Sequence, residues 1–326
     1  TIKAQETCTF TSPKRSFFSS TNEDRLGLWV TRDLDLVPKY HEQVDCSQYL
    51  ITKRMVKPLV KPRIRFSHKG TYGHCLLIGS SVGMAGALAL AGRSALRMGA
   101  GLVTLGSVES NRIALQSSLP EAMFKSLGEQ AVTEINSKFD NFDVIGIGPG
   151  LGREDKIKSA IQGFLSKQKV PLVIDADALN LISELEISGQ LPPESIITPH
   201  PKEFDRIFGH HNNDFDRRSV QIEMSVKLNI YIVLKGAYTT ITTPSGDIYF
   251  NQTGNPGMAV GGSGDILTGM ICSLIAQGHS KLSACILGVY MHGLAGDSAA
   301  KDLGQEFMIS TDIINYISAA YKMVKS

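Results

Sequence analysis

Val144-Ile145-Gly146-Ile147-Gly148-Pro149-Gly150-Leu151-Gly152 is an unbroken apolar run that stops in glycine and proline. A polar segment with helical character, residues 154–167, follows it. Pro171-Leu172-Val173-Ile174-Asp175-Ala176 is then apolar again. A strand without polar alternation is buried on both faces, and helices between such strands imply a mostly parallel sheet covered on both sides. The same rhythm continues upstream, with a strand at Cys75-Leu76-Leu77-Ile78, a small-residue helix over 85–98 and a strand at Leu102-Val103-Thr104-Leu105. Downstream it gives a helix over 179–185, a short strand Ile196-Ile197-Thr198 stopped by Pro199, helices over 201–208 and 214–228, and a strand over 230–234. The expected fold is α/β, a three-layer α/β/α sandwich around a mostly parallel central sheet.

Beyond that core, Thr239-Thr240-Ile241-Thr242 and Ile248-Tyr249-Phe250 flank the turn Pro244-Ser245-Gly246-Asp247 and predict a hairpin. Helices are expected over 266–277, 282–300 and 311–323, with Ser310, Thr311 and Asp312 as caps. The first fifty residues lack this rhythm. Residues 5–11 alternate like a strand that Ser12-Pro13 ends, residues 23–38 carry strand-like patches, and residues 49–62 read as a short helix and a proline-punctuated linker.

With 326 residues, 42% hydrophobic and 20% charged, the chain has ample material for a packed core. A formal net charge of +2 without a basic, aromatic-interleaved run gives nucleic-acid binding no support. Cys8, Cys46, Cys75, Cys272 and Cys285 are odd in number and lack Cys-x-x-Cys spacing, which fits a reducing compartment and argues against a structural zinc site. The most apolar window, residues 84–103, is interrupted by Arg93 and Arg97 and reads as a buried helix and strand, not a membrane span. A cytoplasmic location is expected.

In parallel α/β sheets, ligands bind at loops off the carboxyl ends of strands. The informative motifs fall there, and each has two readings. Gly79-Ser80-Ser81-Val82-Gly83-Met84-Ala85-Gly86-Ala87 can cradle a phosphate or let a helix pack closely on the sheet. Gly148 to Gly152 can expose bare backbone to a ligand or simply form a tight turn. Asp175-Ala176-Asp177-Ala178-Leu179-Asn180 can position a hydrated Mg²⁺ or a sugar, or Asp177 can cap a helix. In Thr198-Pro199-His200-Pro201-Lys202-Glu203, His200 is either presented rigidly to a ligand or an ordinary loop histidine. In Lys235-Gly236-Ala237-Tyr238-Thr239, Lys235 either neutralises phosphate or is an edge lysine in solvent. No Walker P-loop and no Gly-x-Gly-x-x-Gly occurs.

Gly254-Asn255-Pro256-Gly257-Met258-Ala259-Val260-Gly261-Gly262-Ser263-Gly264-Asp265 combines main-chain amides with a single carboxylate at the start of an apolar helix. Amides at a helix N-terminus bind anions, and a carboxylate beside them can take a proton from a hydroxyl that attacks a phosphate. Asp265 as a plain N-cap is the other reading.

Taken in order, these blocks resemble the NAD(P)H-hydrate dehydratases of the ribokinase-like superfamily. Ser67-His68-Lys69-Gly70-Thr71-Tyr72-Gly73, Arg97-Met98-Gly99-Ala100-Gly101-Leu102-Val103 and Pro120-Glu121-Ala122-Met123 belong to the same set, which runs from about Thr52 to the C-terminus. Ala4-Gln5-Glu6-Thr7-Cys8-Thr9-Phe10 and Ser12-Pro13-Lys14 resemble the last part of an NAD(P)HX epimerase domain, which many prokaryotic bifunctional proteins carry ahead of the dehydratase. Residues 1–50 are thus expected to be an epimerase-like tail plus linker, residues 51–326 the dehydratase domain, and the chain a fragment of such a fusion without epimerase activity of its own.

The resemblance implies dehydration of the hydrated coenzymes NADHX and NADPHX to NADH and NADPH, with ADP as phosphoryl donor, Mg²⁺ on the phosphates, and AMP and phosphate released. It gives Asp265 the role of general base and the N–H groups of Gly262, Ser263 and Gly264 that of the phosphate site. Ala87, Gly150, His200 and Asp265 would contact the hydrated coenzyme, and Lys235, Gly236, Ala237, Tyr238, Thr239 and Gly264 the adenine nucleotide. Asp177 and Asn180 are further candidates, and the metal ligands stay unassigned. The family often forms oligomers through this domain, so a homo-oligomer is expected. A ribokinase-like small-alcohol kinase, of hydroxyethylthiazole or hydroxymethylpyrimidine type, and a non-catalytic nucleotide-binding module are the competing readings.

Overall fold

The computed structural model describes residues 2–34, 46–135 and 139–326. Residues 35–38 of the strand-like patch expected over 23–38 lie outside the described residues. A ten-stranded sheet forms the centre. Its strands in chain order are β3 (Gln48–Leu50), β4 (His74–Ile78), β5 (Leu102–Ser107), β6 (Met123–Ser126), β7 (Val144–Ile147), β8 (Leu172–Ile174), β9 (Ile196–Ile197), β10 (Tyr231–Leu234), β11 (Thr240–Thr242) and β12 (Ile248–Phe250). The spatial order is β3-β12-β11-β10-β9-β8-β7-β4-β5-β6. Only the hairpin pairings β10–β11 and β11–β12 are antiparallel among the described residues. A separate two-stranded parallel ribbon pairs β1 (Glu6–Phe10) with β2 (Leu28–Arg32).

Strand residues alternate between two cores, because successive side chains of a strand point to opposite faces. Cys75 and Leu77 of β4 enter one core, and Leu76 and Ile78 the other. Helices α1 (Ala85–Met98), α7 (Ser263–Ala276), α8 (Lys281–Leu303) and α9 (Ser310–Lys325) close the first face. Helices α3 (Asp155–Leu165), α4 (Ala176–Glu184) and α5 (Pro201–Phe208) close the second, with part of α6 (Asp214–Leu228). The three-layer sandwich read from the apolar runs is the observed fold. Helix α2 (Arg112–Ser118) and strand β6 were not expected; both lie at the far edge, where half-exposed residues mask the apolar signal.

The sheet order reverses at β4. The chain runs outward through β5 and β6, then returns to lay β7 on the other side of β4. Crevices at such switch points are where parallel sheets bind ligands. On the same side of the sheet, α7 is drawn tightly onto α1. A Cβ at Gly269 would lie 2.0 Å from the Ala91 carbonyl oxygen and 2.2 Å from Ser94 Oγ. Ser94 Oγ in turn donates to the Ile266 carbonyl at 2.9 Å. This close approach fixes the height of the α7 N-terminus. Gly269→Ala should therefore destabilise the fold by about 1–3 kcal/mol, as overpacking does, measured by urea unfolding.

Candidate active site

Strand β8 delivers Asp175 to the carboxyl edge of the sheet, where it is 1% exposed. Ala176 then takes a left-handed φ of 50° and starts α4 three residues earlier than the sequence suggested. Asp175 stands at the N-cap position but its side chain caps nothing. One carboxylate oxygen accepts from Lys235 Nζ at 2.7 Å, the other from Thr268 Oγ1 at 2.8 Å. Lys235 follows β10 and Thr268 lies on α7, so one carboxylate ties two strand ends to a helix. Burial pushes the Asp175 carboxyl up, but Lys235 and the two hydroxyl donors Thr268 and Thr198 bring it below its ordinary value. Burial likewise opposes the Lys235 charge, and Asp175 and Glu203 outweigh it. Lys235 is thus a paired ion with 20% of its side chain exposed, not an edge lysine in solvent.

The first turn of α7 rests on this pair. A Cβ at Gly264 would lie 3.2 Å from Lys235 Nζ and 3.6 Å from Asp175 Oδ2. Gly262 holds the N-cap position at φ 94°, where a Cβ would lie 2.5 Å from Leu90 Cδ1. The loop before it is braced from behind. Asp297 of α8 accepts the Gly254 N–H and the Asn255 amide, each at 3.0 Å. Ser310 does not cap α9 as expected; Ile309 holds that position, and Ser310 Oγ donates to the Gly261 carbonyl. The first N–H groups of a helix have no intrahelical acceptor. Among the described residues only that of Ser263 finds a carbonyl, Val260 at 3.4 Å. Those of Gly264 and Asp265 remain for an anion.

Asp265 is the third residue of α7, not its N-cap. Its carboxyl is pushed up to about 7, first by burial and then by the negative charge of Asp175. Lys235 opposes the rise, and Asp177 and Glu203 add to it. A carboxyl with that affinity exchanges protons near neutrality, which suits a general base.

His200 turns out to be a helix cap. Its Nδ1 accepts the Glu203 N–H at 3.2 Å while Glu203 Oε2 accepts the His200 N–H at 2.8 Å, a reciprocal capping box. That fixes the hydrogen on Nε2. Burial and the charge of Lys235 hold the imidazole below its usual value, so the ring is neutral at pH 7. Its side chain stays 45% exposed and can still meet a ligand. Asp177 is not a cap either; its Oδ2 accepts the Gly152 N–H at 3.0 Å and holds the glycine loop after β7. Asn180 Oδ1 accepts from Arg206 Nη1 at 2.5 Å, which ties α4 to α5.

The β4 and β7 loops are stitched together. Ser80 N–H donates to Pro149 O at 2.9 Å and Ser81 N–H to Gly150 O at 2.7 Å. Those two amides thus hold the first glycine loop against the loop after β7. Gly150, at φ 58°, brings its backbone against α1, where a Cβ would lie 3.3 Å from Ala87 Cβ. Ala87 and Gly150 are therefore neighbours. Gly148 packs so closely on the Asp175 backbone that a Cβ there would overlap the Asp175 carbonyl oxygen. Gly236 and Ala237 are exposed beyond β10, with Tyr238 and Thr239 half-buried behind them.

A family description, NAD(P)H-hydrate dehydratase, matches residues 75–319. The chain belongs to this family. The bifunctional NAD(P)H-hydrate repair enzyme of Moorella thermoacetica is 34% identical over 97% of the chain. The chain spans 62% of that enzyme's length. The ADP-dependent (S)-NAD(P)H-hydrate dehydratase of Bacillus subtilis is 32% identical over 83% of the chain and 97% of its own length. A solved structure of the ADP/ATP-dependent NAD(P)H-hydrate dehydratase from Bacillus subtilis, co-crystallised with ATP/Mg²⁺, superposes with a TM-score of 0.76 at 30% identity, over 85% of this chain and 98% of that one.

Within this dehydratase fold, Thr268, His292 and Asp297 are the site residues that sequence reasoning did not assign, while Asp175 was read as a holder of hydrated Mg²⁺ or a sugar and Ser310 as a cap, not in the roles they take here. Asp175 carried a signal, a carboxylate at the carboxyl end of an apolar strand. His292, whose Nε2 lies 3.4 Å from Ser263 Oγ, carried none, being one polar residue within an apolar helix. Burial holds its imidazole down to about 4, so it faces the anion site uncharged. Removing the cation that balances Asp175 should be costly. Lys235→Met should lower unfolding stability by about 3–5 kcal/mol in denaturant titrations, the cost of an unpaired buried charge.

Proposed function

We propose that the chain dehydrates the hydrated coenzymes NADHX and NADPHX to NADH and NADPH, with ADP as phosphoryl donor and AMP and phosphate as products. The observation that carries this reading is the seat of Asp265, a carboxyl near neutral affinity in the first turn of a helix that rests on the Lys235–Asp175 pair. Asp265 takes the proton of the ring hydroxyl as its oxygen attacks the β-phosphorus of ADP. The bond to AMP breaks, the ring nitrogen's lone pair then expels phosphate, and loss of a proton from the neighbouring ring carbon to water restores the double bond. The free amides of Gly264 and Asp265 and the ammonium of Lys235 offset the charge on the transferring group, whereas the Ser263 amide, expected to join them, is turned to the Val260 carbonyl. Ala87, Gly150 and His200 line the coenzyme side, and Lys235 to Thr239 with Gly264 the nucleotide side. The named activities of the Bacillus subtilis relatives support this choice of donor and substrate.

Among the described residues no group of three His, Cys, Asp or Glu side chains could hold a metal by itself. Asp175 is committed to Lys235 and Thr268, and Asp177 engages Gly152. The site still fits Mg²⁺ carried in on the nucleotide, because Asp175, Asp177 and Glu203 all act on Asp265 against the one cation Lys235. Mg²⁺ bound there would be held by the nucleotide's phosphates with Asp177 and Asp265 as the carboxylates on offer, and would neutralise phosphate charge. We further propose that residues 1–50 are the tail of an epimerase-like domain and residues 51–326 the dehydratase unit, in a cytoplasmic homo-oligomer. No helix among the described residues is long and apolar enough to cross a membrane.

Incubation with ADP and hydrated NADH tests the activity. Recovery of reduced-nicotinamide absorbance, with AMP and phosphate formed in equal amounts, is expected. A stable phosphorylated coenzyme without recovered absorbance would instead indicate a small-alcohol kinase. Asp265→Asn should lower turnover by about 10²–10⁴-fold with ADP binding kept. In the wild type, turnover should rise with pH through about 7 as the base ionises. The fold responds in the opposite sense. A carboxyl whose affinity is raised on folding contributes stability below its unfolded value, 3.8, that is lost as pH climbs through about 7. Asp265→Asn should therefore raise the melting temperature at pH 8 and not at pH 4, measured by calorimetry.

A further inference from the structure

A third, smaller core stands apart from the two main ones. It joins Phe18, Ile248 and Phe250 with Trp29, Leu50, Ile222 and Tyr238. Phe18 and Trp29 come from the leading segment, ahead of the span that matches the dehydratase family. Tyr238 comes from the loop assigned above to the nucleotide. Trp29 Nε1 donates to the Tyr238 hydroxyl at 3.2 Å. Phe18 meets the Tyr238 ring edge-on, centroids 5.1 Å apart at 90°, and meets Trp29 at 5.8 Å and 79°. The leading segment is itself anchored. Arg218 donates to the Phe18 carbonyl, and Asp214 accepts both the N–H and the hydroxyl of Ser20 at 2.7 Å.

Gly236 and Ala237, by contrast, are exposed, and a Cβ at Gly236 would meet nothing within 4 Å. The loop has little packing of its own on the solvent side. Its one aromatic residue is gripped from behind, by a ring and a hydrogen bond that the leading segment supplies.

We propose that Trp29 is a positioning residue for the nucleotide. Through Tyr238, the leading segment sets the conformation of the 235–239 loop, so ADP affinity depends on residues outside the dehydratase span. The proposal rests on the reading of that loop as the nucleotide segment. It assigns Trp29 an effect on ADP and none on the hydrated coenzyme. A purely structural role would lower stability and affect both substrates alike, or neither.

The test compares the wild-type chain with Trp29→Ala and Trp29→Phe. ADP binding is measured by calorimetry, and Michaelis constants for ADP and for hydrated NADH by recovered absorbance. Trp29→Ala should weaken ADP binding about five- to tenfold, the share of one hydrogen bond and one aromatic contact. Trp29→Phe, which keeps a ring and loses the donor, should weaken it about two- to threefold and decides the matter if the alanine variant does not fold. The Michaelis constant for hydrated NADH and kcat at saturating ADP should stay within about twofold. If the wild type turns over with ADP while both folded variants bind ADP within about twofold of it, the positioning role is wrong and the dehydratase reading stands. If the wild type binds no ADP, both fall together.

Discussion

Lys235 is an ammonium ion held largely out of water beneath the first turn of a helix. Desolvation on that scale costs several kcal/mol per ion unless an opposite charge is close. Asp175, buried at the end of the next strand but one, is that charge. The pair is nearly self-contained, and this is what shapes its surroundings. Gly264 can have no side chain without crowding the ammonium, and Thr268 is drawn onto the second carboxylate oxygen. Asp265, one residue further on, finds the nearby positive charge already matched. At its own carboxyl, burial and the negative charge of Asp175 outweigh the opposing charge of Lys235, and it gains affinity for a proton.

The scaffold supplies the distances on which this depends. Parallel strands buried on both faces place their carboxyl ends in one row, so β8 and β10 present Asp175 and Lys235 across β9. Helix α7 is kept at contact distance by Gly269 against α1 and by the hydrogen bond from Ser94 to Ile266. Asp297 and Ser310, from two later helices, hold the glycine loop that enters it. A wider spacing at any of these points would let water reach the pair and Asp265 together.

The layers were legible in the sequence because each central strand must be apolar on both faces, as Val144-Ile145 and Leu172-Val173-Ile174 are. Strand β6, Met123–Ser126, was not, since an edge strand with half-exposed residues has no such constraint. The starts of α4 and α7 were placed three residues late. Ala176-Asp177 and Ser263-Gly264-Asp265 have loop-like composition, and the onset of each helix is set by a left-handed residue, Ala176 or Gly262, that only tertiary packing selects. Asp265, Gly264 and Lys235 stood out as a group through their motifs. Asp175 stood out as a strand-end carboxylate but not as the partner of Lys235, because that role exists only once Lys235, 60 residues away in the chain, is brought beside it. His200 and Asp177 were recognised as special for a partly different reason than the structure gives, one a cap and the other a clasp on Gly152.

Burial and the negative charge of Asp175 outweigh Lys235 at Asp265 and leave its carboxyl close to neutral affinity. Carbon-13 NMR titration of the Asp265 side-chain carboxyl in the wild-type chain, assigned by its absence in a variant at that position, tests it most directly. A midpoint at about 7 is the result this arrangement requires. A midpoint near the ordinary aspartate value of 3.8 would mean that the lysine charge outweighs burial and Asp175 at this carboxyl, and would contradict the account.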